Sequence, residues 1–63
     1  MPGDAAELSS LATTLGDLER RLGELGLAYE GTDHDDIVGA LFDAERNLRA
    51  AVRNVERARR VLD

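Results

Sequence analysis

"LSSLATTLGDLERRLGELGLAY", from Leu8 to Tyr29, puts Leu8, Leu11, Leu15, Leu18, Leu22, Leu25 and Tyr29 at spacings of 3, 4, 3, 4, 3 and 4. An α-helix turns once in 3.6 residues, so these side chains share one stripe, and the unbroken heptad is that of a coiled coil. Upstream, Asp4 can cap the helix, with Glu7 three residues later completing a capping-box pattern. Downstream, Gly31 can end it, because glycine accepts the left-handed conformation that follows a helix.

Past that glycine the same period resumes. Ile37, Leu41, Ala44, Leu48, Ala51, Val55, Ala58 and Leu62 follow at 4, 3, 4, 3, 4, 3 and 4. Thr32 or Asp33 can cap this second helix, and Asp35 and Asp36 stand where its dipole favours negative charge. Folding the chain antiparallel about Asp33 makes opposing positions add to 66. The layers become Tyr29/Ile37, Leu25/Leu41, Leu22/Ala44, Leu18/Leu48, Leu15/Ala51, Leu11/Val55 and Leu8/Ala58. Within them Ala44, Ala51 and Ala58 each face a leucine, and small against large interdigitates well. The expectation is an all-α, antiparallel two-helix coiled-coil hairpin. Residues 1–63 form one unit, with helix one at about 5–30, a turn at about 31–33 and helix two at about 34–62.

Sixty-three residues with no cysteine and 3% aromatics are near the lower limit for a self-sufficient core. Association is the expected source of the missing stability, giving a homodimeric four-helix bundle. A second stripe beside the heptad supports this. It carries Ala5, Ala12, Gly16, Gly23 and Gly26 on helix one, and Val38, Phe42 and Val52 on helix two. A glycine inside a helix costs roughly 1 kcal/mol relative to alanine, so several on one face suggest that another helix approaches there. Ala12, Gly16, Gly23, Gly26, Val38, Phe42 and Val52 are therefore the expected face for self-association or for a partner, with Phe42 as its anchor. Thr14, Arg21, Asn47 and Asn54 occupy the opposite flank.

The net charge of −5 is unevenly spread. Residues 1–45 hold eleven acids and two arginines, a net −9, whereas residues 46–63 hold six arginines and two acids, a net +4. Such a chain is a poor general nucleic-acid binder but can pair with itself head to tail. Arg46, Arg49, Arg53, Arg57 and Arg60 recur at helical spacing and form one stripe away from the heptad. A solvated face explains them, and an acidic partner or a phosphate-bearing ligand is the alternative. With only Phe42 near the stripe, base stacking has little to work with.

The loop "YEGTDHDD" (Tyr29–Asp36) collects Glu30, Asp33, His34, Asp35 and Asp36 but lacks the glycine and distal glutamate of a calcium-binding helix-loop-helix. No catalytic residue, metal site or cofactor is expected from it. No apolar run approaches the roughly 18 residues that span a bilayer, and "MPGDAAELSS" lacks the basic and apolar parts of a signal peptide. A cytoplasmic location is the expectation. Together these features predict a non-catalytic helical hairpin that self-associates and acts as an adaptor or regulator through protein–protein contacts. The rival is a ligand-sensing or transcription-linked regulator that binds a phosphate-bearing molecule through the arginine stripe.

Overall fold

In a computed structural model, residues 3–63 form two long helices folded back on one another. Helix α1 runs Asp4–Tyr29 and helix α2 runs Val38–Leu62, the latter preceded by one 3₁₀ turn at Asp35–Ile37. The pair is a rod with Cα extents of 50 × 13 × 11 Å. The all-α antiparallel hairpin expected from the two heptads is the fold.

The helix ends depart from the expected caps. Gly3, at φ +95°, is the residue that precedes α1, and Asp4 is already helical, so no side-chain cap forms there. Asp4 and Glu7 instead sit in the first turn, where the exposed N–H groups of the dipole favour carboxylates. At the other end Gly31 takes φ +72°, the left-handed value that its missing Cβ permits. The Thr32 hydroxyl donates to the Tyr29 carbonyl at 2.7 Å and accepts from the His34 N–H at 3.2 Å. The Asp35 carboxylate accepts from the Gly31 N–H at 2.7 Å and closes the turn. Thr32 and Asp35 are thus spent on the turn, and α2 starts without a side-chain cap. Arg59 and Arg60 lie in its last turn, on the side of the dipole that suits cations.

The register and the seam differ from the sequence expectation. Gly26 lies under Phe42, Gly23 under Glu45, and Arg49 bonds Glu19. Each of these pairs adds to 68, two more than the expected layers, while Leu18 and Leu48, which add to 66, line one groove. The seam on α1 is also rotated towards its small residues. Ala12, Gly23 and Gly26 are buried, whereas Leu11, Leu18 and Leu25 are 47%, 39% and 48% exposed. The physical cause is close approach. Where α1 has no side chain, Phe42 and Glu45 can lie directly on its backbone, and dispersion contacts are gained that a leucine-on-leucine seam would hold apart.

Candidate interaction surfaces

The hairpin has two unlike sides. On the glycine side, a Cβ added to Gly26 would stand 2.7 Å from Phe42 Cε1 and 3.0 Å from its Cζ. One added to Gly23 would stand 3.0 Å from Glu45 Cδ. The Phe42 ring therefore favours glycine at 26, whereas at 23 the neighbour is the flexible carboxylate end of Glu45, which can move aside. Gly16 has open space around it, and no contact in the structure explains its choice. Val38, Phe42 and Val52 are half-buried along the same seam. The face expected from Ala12, Gly16, Gly23, Gly26, Val38, Phe42 and Val52 is thus occupied in large part by the chain's own second helix. The aromatic anchor assigned to a partner has its pocket at home, on Gly26.

Charge closes this side further. Arg49 Nε donates to Glu19 Oε2 at 3.0 Å across the two helices, and its guanidinium lies 3.5 Å from Glu45 Oε2. The hydrogen bond to Glu19, then the charge of Glu19 and that of Glu45, hold the Arg49 guanidinium above its already high ordinary pKa.

The leucine side is open. Leu11, Leu18 and Leu25 recur every seven residues along α1 and stand out of the seam. Leu18, Leu22 and Leu25 with Leu48 of α2 and the stem of Arg21 line one shallow apolar groove. Glu45 covers Gly23, so the helical period turns Ala44 and Ala51 to the other side of Leu48, beside these leucines. On α1 alternate heptad members are therefore seam and the others exposed, whereas on α2 Leu41, Ala44, Leu48, Ala51 and Val55 are all half-buried. The heptad leucines were visible in the sequence. What periodicity alone did not show is that α2 covers only alternate members on α1.

The arginine stripe separates into paired and unpaired members. Arg46 pairs with Asp43, Arg49 with Glu19 and Glu45, and Arg57 donates to the side-chain Oδ1 of Asn54 at 3.0 Å. Arg59, outside the expected stripe, lies 2.9 Å from Glu56 and 2.7 Å from Asp63. Among the described residues Arg53, Arg57 and Arg60 have no carboxylate partner, and together with Val52, Asn54 and Glu56 they border one shallow depression. In the turn, the Tyr29 and His34 rings meet edge to face at 6.3 Å. Among the described residues no three His, Cys, Asp or Glu side chains converge as an ion would require.

No family model, curated protein or solved structure matches this chain. Among the described residues no helix is long and apolar enough to cross a membrane.

Proposed function

We propose that this protein is a non-catalytic helical hairpin that self-associates and works in the cytoplasm as an adaptor or regulator through protein–protein contacts. One observation carries the reading: the hairpin does not complete a core by itself. Ala12 is the one buried hydrophobic residue among those described, none of these has a fully buried side chain, and four heptad leucines, Leu11, Leu18, Leu25 and Leu62, remain exposed. Exposed apolar patches of this continuity mark interaction sites in proteins of ordinary stability. Chemistry is poorly served by the same surface, since the sole histidine, His34, lies exposed in the turn against Tyr29. Light scattering with thermal melts over a hundredfold range of concentration tests the proposal. A dimer whose melting temperature rises with concentration is expected. A monomer that melts cooperatively at low micromolar concentration, independent of concentration, would refute it.

The guanidinium groups of Arg53, Arg57 and Arg60, which have no carboxylate partner among the described residues, favour a second reading, a regulator that takes a phosphate-bearing ligand on α2. Binding to a phosphate resin at 50 mM salt, lost when all three become Gln, would support it. A wild-type protein that flows through that resin would leave the arginines as a solvated face.

A further inference from the structure

Self-association leaves open which side of the hairpin meets the second copy and in which direction. Resting on that proposal, we infer that two copies dock through the Leu11–Leu18–Leu25 face, antiparallel, so that the turn of one lies beside the open end of the other. Four features converge on this arrangement.

The first is the heptad itself. Seven positions on α1, and seven on α2 with Ile37 just before it, follow one repeat, yet a two-helix seam covers only part of it. In a four-helix bundle each helix turns its central stripe towards the bundle axis, between two neighbours. A second hairpin laid on the leucine face covers Leu11, Leu18 and Leu25 and leaves the Gly26–Phe42 contact untouched. The heptad is then a bundle core, with the glycine seam as the contact within each hairpin.

The second is size. The broad side measures 50 × 13 Å between Cα positions, of the order of the ~800 Å² per partner that specific interfaces bury.

The third is the rim. Beyond the leucines the helical period places Glu7, Thr14, Arg21 and Ala28 on α1 and Ala40, Asn47, Asn54 and Val61 on α2. Six of these eight are uncharged, so two such faces meet with few charges to desolvate. The opposite side instead carries Glu19, Glu45 and Arg49.

The fourth sets direction. The turn holds Glu30, Asp33, Asp35 and Asp36 with no arginine, a net −4. At the open end Asp4, Glu7, Glu56 and Asp63 are balanced by Arg53, Arg57, Arg59 and Arg60. Parallel docking would set four carboxylates beside four more. Antiparallel docking sets them beside the end where Arg57 and Arg60 lack carboxylate partners. It also superposes the evenly spaced leucines on themselves: Leu18 meets Leu18 near the two-fold axis, and Leu11 meets Leu25.

The natural chain has no cysteine, so single thiols report proximity cleanly. Under mild oxidation Leu18→Cys is expected to run mostly as a covalent dimer. Leu11→Cys and Leu25→Cys are each expected to cross-link little alone and readily as an equimolar mixture, because a disulfide needs Cβ atoms about 4 Å apart. Leu18→Glu, by light scattering, is expected to be dissociated at concentrations where the wild type is dimeric. A wild-type monomer would end the self-association proposal and this one with it. A wild-type dimer in which Leu18→Cys cross-links neither with itself nor with Ala51→Cys, or in which Leu18→Glu still dimerises, would overturn only the face assigned. Cross-linking of Leu18→Cys with Ala51→Cys, but not with itself, would overturn the direction.

Discussion

The glycine side and the leucine side of the hairpin solve the same problem by opposite means. On the glycine side the backbone of α1 is bare, and Phe42 and Glu45 of α2 lie on it, with Arg49 bridging to Glu19. Apart from Gly16, which has open space, the contacts there are made within the chain. On the leucine side the side chains are large, evenly spaced and half in water. Small residues thus make the contact that the chain completes alone, and large ones make the surface it leaves for something else. The lesson for short helical chains is that leucines at heptad spacing need not mark the nearest helix. They can mark the one that arrives second.

Five substitutions would break or sharpen that contrast. Leu18→Glu places a carboxylate on the open face. An uncompensated buried charge costs about 3–5 kcal/mol, so dissociation of the dimer is expected, seen as a halved mass in light scattering. Unchanged mass would remove the leucine side from any interface.

Phe42→Ala empties the pocket over Gly26. Truncating a buried phenylalanine costs roughly 3–5 kcal/mol, and this ring is half-buried, so a loss near ~2–3 kcal/mol in denaturant unfolding is expected. A loss below about 1 kcal/mol, the scale of an ordinary surface change, would mean that the ring does not hold the seam.

The glycines themselves separate the two explanations for their presence. Gly26→Ala gains roughly 1 kcal/mol of helix propensity but drives a methyl into Phe42, and such overpacking costs about 1–3 kcal/mol. A net loss is expected. Gly16→Ala has open space and should gain up to roughly 1 kcal/mol. Paired thermal melts check the sign: Gly26→Ala down, Gly16→Ala up. A rise in both would show that Phe42 readily moves aside.

The smallest effect belongs to the bridge. Arg49→Gln removes an exposed guanidinium from half-buried Glu19 and Glu45, and pairs of this kind are worth about 0.2–1 kcal/mol. The difference from wild type should shrink between low and high salt. A difference that does not change with salt would assign the effect to lost packing of the arginine stem.

Much of the fold was legible before any coordinates. The heptads from Leu8 to Tyr29 and from Ile37 to Leu62 predict both helices, and Gly31 marks the turn at its observed place. The caps were less legible: Asp4 lies inside α1, and Thr32 and Asp35 bond the turn rather than the end of α2. Competition between one hydroxyl or carboxylate and several nearby N–H groups is decided by the path of the loop, which residue type does not specify.

The candidate surface was legible as residues and not as an arrangement. Gly23, Gly26 and Phe42 stood out in the sequence as one packing unit, and they are one, but within a single hairpin. Their partner was set by how far each helix is rotated about its own axis. The sequence by itself determined which residues share a stripe, because the 3.6-residue period is a property of one helix. It also determined that the two stripes run antiparallel, because the turn is too short for anything else. Rotation and register belong to the pair. They follow from the closest approach of two surfaces, and only the tertiary structure decided that Phe42 and Glu45 settle onto bare glycine backbone while Leu11, Leu18 and Leu25 face outward.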